Sequence, residues 1–149
     1  MSSLAAIRPD SWDLPLFLHV LGAFVMVGAA VLAAAFLVPA WRNASVDALR
    51  VGYRSLLYGA LPGFVVMRVA AQWLYDEEGI GDIPDEPAWT AIGFGTSDLG
   101  ALLLVIATVI TAMGVRRSNA GGARIAAALI GALLVLYVVA IWAMTTKPV

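Results

Sequence analysis

The sequence predicts an all-α, polytopic membrane protein: four transmembrane helices in a bundle, with the N- and C-termini both on the outer side. Three observations predict it. The chain is 62% hydrophobic and 13% charged, with a mean hydropathy of +0.91, against a soluble norm of about half apolar and about a quarter charged. Its apolar residues gather into four runs, each near the roughly 20 residues that a bilayer core requires. Its basic residues gather in the two loops that would share one side of the membrane. A soluble domain of 149 residues could not hide so much apolar surface in one core, so residues 1–149 read as a single integral membrane domain.

The runs cover about residues 12–41, 55–75, 97–115 and 123–146. None alternates apolar and polar residues as a barrel strand does, so each is expected to be helical. The first lacks a basic stretch before it and a cleavage site after it, and is expected to be retained as a span and not removed as a signal peptide. Pro39 should end or kink it near the cytoplasmic face, and Pro62 with Gly63 should kink the second. The first carries Gly22, Ala29 and Ala33 on one side, and the fourth carries Ala123, Ala127 and Gly131 at steps of four. Such small-residue faces let helices approach closely in lipid, within one chain or between copies.

Residues 76–96 form the one long loop. Its acidic start, DEEGIGDIPDEP, reads as a solvated turn without the spacing of a calcium loop. Asp85, Glu86 and Pro87 then resemble the cap of a short interfacial helix through Trp89 to Ile92.

Charge sets the orientation. Arg42, Arg50, Arg54, Arg116, Arg117 and Arg124 fall in or beside the loops joining spans one to two and three to four, while the other side offers only Arg8 and Lys147. Six against two, in short loops, is a strong positive-inside signal. It also argues against a dual-topology dimer. Asp10, Asp13, Asp76, Glu77, Glu78, Asp82, Asp85 and Glu86 lie on the outer side. Trp12, Trp73, Tyr75, Trp89 and Trp142 near the outer ends, with Trp41 and Tyr53 near the inner ones, suit interfacial belts.

Several function classes drop out. No basic stripe exists for nucleic acid to follow. With no cysteine there are no disulfides, thiolate metal sites or iron–sulfur ligands. Metal ligands are too few for a zinc site, and no nucleophile stands beside a base.

Ionisable side chains in hydrocarbon are costly, so His19, Arg68 and Asp98 are the functional candidates. His19 lies about seven residues into the first span, roughly 10 Å from its outer end at 1.5 Å per residue. Arg68 lies at a similar depth on the second, with Gln72 one turn above it on the same face. Tyr137, Trp142 and Thr145 reach comparable depths on the fourth. Together they suggest an outward-opening polar pocket. Each member has a plainer reading: His19 as a hydrogen-bonded packing residue, Arg68 snorkelling to the interface, and Asp98 after Thr96 and Ser97 capping the third helix.

The stretch Phe17-Leu18-His19-Val20-Leu21-Gly22, continuing to Gly28, resembles the first helix of a large uncharacterised bacterial family of predicted integral membrane proteins. It also looks like the copper-resistance D type and, more remotely, the four-helix protoporphyrinogen oxidases that bind haem. These share the pattern FxHxxGxxxxxG in their first helix. The segment from Arg50 through Arg54, followed by Pro62, is similar to the second helix of the uncharacterised family. The resemblance covers the first half of the chain. It implies a bacterial cytoplasmic (inner) membrane location and makes His19 a haem iron ligand or redox-site residue, although the further histidines and methionines expected of copper handling are lacking. The expected function is binding of a redox cofactor, haem or quinone, or of a lipid-like ligand, by His19, Arg68, Gln72, Asp98, Tyr137 and Trp142. One alternative is a non-catalytic accessory subunit whose small-residue faces dock onto a larger membrane complex. The other is a homo-oligomeric channel or transporter. In each, the lipid bilayer is the partner common to all.

Overall fold

A computed structural model describes residues 10–82, 84 and 87–146. Arg8, Asp85, Glu86 and Lys147, on which part of the orientation and capping argument rests, lie outside them. The described elements are helical: α1 (Asp13–Arg42), α2 (Val46–Ser55), a π-helical turn (Leu56–Ala60), α3 (Leu61–Glu77), α4 (Ala88–Arg116) and α5 (Ala123–Thr146), with short 3-10 turns at Asp10–Trp12 and Ile80–Asp82. Because α2, the π turn and α3 run on without a break, four helices are long and apolar enough to cross a membrane: Asp10–Arg42, Val46–Glu77, Ala88–Arg116 and Ala123–Thr146.

Their surfaces tell the same story as their length. Phe24 is 77% exposed and Val138 66%, while Met26 and Leu133, on the same two helices, are fully buried. A helix that is apolar on its outward face as well as its inward one fits a lipid surround. The chain is built as a multi-pass membrane protein.

Two boundaries differ from the sequence expectation. The basic segment before Ser55 is helix and not loop. Ser45 caps it, its hydroxyl accepting from Ala48 N at 3.2 Å, and Leu49 and Gly52 are buried along one side of α2. The short interfacial helix and the third span are also one helix, starting at Ala88 after Pro87. Its polar middle does not break it, because the Thr96 hydroxyl donates back to Ile92 O at 2.7 Å. Asp98 is therefore no cap: it sits ten residues inside α4.

Pro39 and Pro62 both lie within the long helices. Pro39 lies inside α1, which ends three residues later with Asn43 N–H donating to Pro39 O. Ahead of Pro62 the helix widens, and Leu61 N–H donates to Leu56 O, five residues back. Proline's ring crowds the carbonyl four residues before it and its missing N–H leaves a gap in the ladder. A π turn is one accommodation of that strain.

Close packing runs along α1 with α3 and along α4 with α5, and α1 also meets α5. A Cβ on Gly22 would stand 2.5 Å from Met67 N, and one on Gly63 would stand 2.7 Å from Met26 N. Only glycine permits that approach. On α5 the inward face is Ala123, Ala126, Ile130, Leu133, Tyr137, Ala140 and Ala143. Gly131, expected in the packing face, points outward with nothing within 4 Å of a Cβ. At the arginine-bearing end α2 reaches α4, and Leu49 seats against Gly114. At the other end α3 and α4 hardly touch, and the cavity described next fills the space between them.

Candidate functional site

The approach of α1 to α3 fixes His19. Its Nδ1 lies 3.0 Å from Met67 O. A carbonyl oxygen can only accept, so Nδ1 carries the proton, and a neutral ring then leaves a lone pair on Nε2. This is how proteins orient a histidine whose other nitrogen is to be used.

His19 forms one wall of a cavity of about 250 Å³ enclosed by α1, α3, α4 and α5. Arg68 and Met67 contribute from α3, Phe94 and Ser97 from α4, and Tyr137 and Met144 from α5. Most of the lining is apolar. Two of its exceptions are informative: Ser97 Oγ and Tyr137 Oη are both buried, and among the described residues neither makes a well-formed hydrogen bond. The two groups lie close enough to interact with each other, short of a well-formed hydrogen bond. A buried hydroxyl left unpaired costs about 1–3 kcal/mol, so two on one cavity wall mark a place where a polar group of something else belongs. A second cavity of about 210 Å³ adjoins the first, sharing His19, Ala71, Phe94 and Met144.

Arg68 bridges the α3–α4 seam. Its Nε lies 3.4 Å from Asp98 Oδ1, with the two side chains 29% and 65% exposed. Its guanidinium also sits 4.5 Å from the centre of the Phe94 ring, which meets Tyr75 edge to face. The polar chain continues up α3: Arg68 Nη1 donates to Gln72 Oε1 at 3.3 Å, and Gln72 Nε2 donates to Asp76 Oδ1 at 3.1 Å. Asp76 is one residue from the helix end. A charge about nine residues, or roughly 14 Å, below that end is thus tied by three side chains to the acidic rim.

Of the residues expected from sequence, His19, Arg68, Tyr137 and Thr145 do line one cavity. Asp98 and Gln72 stand outside it as partners of Arg68. Trp142 is 54% exposed and does not line this cavity: one residue past Ile141, its position on α5 faces outward. Ser97, Phe94, Met67 and Met144 were not foreseen. The methionines and Phe94 carry no polarity to single them out. Ser97 was hidden as one of a run of capping residues, Thr96-Ser97-Asp98, at a helix start that lies nine residues earlier. Among the described residues no three His, Cys, Asp or Glu side chains gather as a metal site, so His19 is the one nitrogen ligand available at the cavity.

Comparison with known protein families, with curated proteins and with solved structures finds no match to this chain.

Proposed function

We propose that this protein binds a single lipid-soluble ligand with a hydroxylated ring head group, of the quinol and quinone class, in the cavity between its four helices. The observation that carries the reading is the pair of unpartnered hydroxyls, Ser97 and Tyr137, on the cavity that His19 also lines. Such a head group has polar oxygens on opposite edges of a flat apolar ring. One edge meets Tyr137 and Ser97, each able to donate or accept. The other donates to the His19 Nε2 lone pair, which Met67 O keeps available by holding the proton on Nδ1. The reduced, hydroxyl-bearing form is the better partner, since the hydrogen bond to Met67 O keeps the proton on Nδ1 and turns Nε2 to the acceptor role.

Size favours a ring head group over haem. About 250 Å³ is below the ~300 Å³ at which small-molecule sites ordinarily begin, and a macrocycle needs more. His19 and the methionines that line the cavity are residue types that could hold haem iron, so haem stays the competing ligand. The bilayer supplies the quinol. The six-to-two arginine and lysine bias supports a cavity in the outer half, with both termini outside.

The experiment is ligand loading in lipid nanodiscs containing an isoprenoid quinol, with bound quinol extracted and measured. Wild type is expected to retain about one equivalent. His19→Ala and Tyr137→Phe are each expected to retain several-fold less. Equal retention by all three would sink the proposal, and a Soret band lost in His19→Ala would replace quinol with haem. A ligand-free protein that comigrates with a larger complex would favour the accessory-subunit reading.

A further inference from the structure

The flank between α1 and the second span holds a different feature. An open groove of about 630 Å³ runs there, sharing no residue with the cavity. Its floor is made by absent side chains. A Cβ on Gly28 would meet nothing within 4 Å, while one on Gly59 would stand 2.6 Å from Ala29 Cβ. Phe24 and Leu32 wall it from α1, and Tyr58, carried on the π turn, walls it from the other side. The π turn thus shapes the groove, as such turns often do at functional places.

The groove has a polar end. Helix α1 runs toward Arg42 as α2 departs from Val46, so Leu32, Val51 and Arg54 lie at the end nearer the connecting loop. Side chains lean toward the N-terminus of their own helix, which turns the Arg54 stem toward that loop. Arg54 has no ion pair among the described residues. The one carboxylate nearby in sequence, Asp47, is held by Arg50 at 2.9 Å. From Phe24 to Leu32 the groove spans eight residues, about 12 Å, close to half of a ~30 Å hydrocarbon core.

We propose that this groove is a binding site for an anionic phospholipid, with one acyl chain lying against Gly28 and Gly59 and the phosphate paired with Arg54. The groove is apolar, one leaflet deep and basic at its interfacial end, which is the combination such a lipid presents in complement. Charge selects an anionic lipid over a zwitterionic one: Arg42, Arg50, Arg54, Arg116, Arg117 and Arg124 share that end with only Asp47. Charge also disfavours a second copy of the chain. A two-fold pairing through this groove would bring one Arg54 toward its symmetry mate.

Binding is read by native mass spectrometry of the intact protein exposed to phosphatidylglycerol or to phosphatidylcholine of identical acyl chains. Wild type is expected to prefer phosphatidylglycerol by about fivefold, the effect of one interfacial cation. Arg54→Gln removes the preference, Gly28→Leu fills the groove and lowers binding of both lipids, and Arg117→Gln retains the preference. Equal binding of the two lipids by wild type, or an undiminished preference in Arg54→Gln, overturns the proposal. So does a dimer that Gly28→Leu converts to monomer, which would assign the groove to a second copy. Should Gly28→Leu fail to fold, Arg54→Gln decides alone. Quinol loading of Arg54→Gln is expected at the wild-type level, so failure of either site leaves the other standing.

Discussion

The proposed function gives the buried Tyr137 hydroxyl a task only when a ligand fills the cavity. That gives its replacement two opposite effects. Tyr137→Phe is expected to leave the ligand-free protein as stable as wild type or more so, by up to about 1 kcal/mol, because it removes a buried group without a partner. The same change should weaken quinol retention several-fold. Thermal unfolding in nanodiscs with and without quinol checks both. A variant destabilised equally in the two conditions would mean that the hydroxyl is satisfied within the chain. At this scale the sequence was legible where cost in hydrocarbon singled a residue out, as for His19 and Arg68. It was silent on Ser97, whose burial depends on where a neighbouring helix starts, and on Met67, whose contribution is a backbone carbonyl that every residue has.

Among the helices, spacing is set by glycine and the open seam by charge. Gly22→Val must push α1 off α3, since its Cβ would meet backbone at Met67. A loss of about 2–3 kcal/mol is expected, along with displacement of His19 from Met67 O. Gly131→Val, with nothing within 4 Å of the Cβ, should change thermal unfolding little. Across the seam, Asp98→Asn takes from Arg68 its one carboxylate partner among the described residues, leaving Gln72 and the Phe94 ring, and is expected to cost about 1 kcal/mol. The double change Arg68→Gln with Asp98→Asn should recover part of that loss, because breaking a desolvated pair is worse than removing it. Additive losses in the two single variants would show that the residues do not depend on each other. The spans themselves were readable because an apolar run of membrane length has few alternatives. Their ends were not. Thr96-Ser97-Asp98 looks like a helix start, yet threonine can satisfy its hydroxyl within a helix, and α4 runs straight through. Likewise the arginines before Ser55 read as loop, although an arginine is as good a helix former as most.

The whole molecule carries its arginine clusters at one end and Asp76, Glu77 and Asp82 at the other, which predicts its direction in the membrane. With no native cysteine, single replacements test it cleanly. Asp82→Cys is expected to react with an impermeant maleimide from outside intact cells, and Asn43→Cys only after the membrane is breached; the reverse pattern would turn the protein over. The helices meet where α2 touches α4 and part where α3 faces α4, where Arg68 with Asp98 and Phe94, and Tyr75 with Phe94, reach across the gap. On the proposed quinol reading, a site that opens between α3 and α4 within the hydrocarbon is loaded from the bilayer and not from water. Its occupancy follows the mole fraction of ligand dissolved in the bilayer, so adding detergent dilutes the ligand away even when the volume of buffer is unchanged. Preparations made in small lipid discs and in abundant micelles should therefore differ in content while sharing one intrinsic affinity.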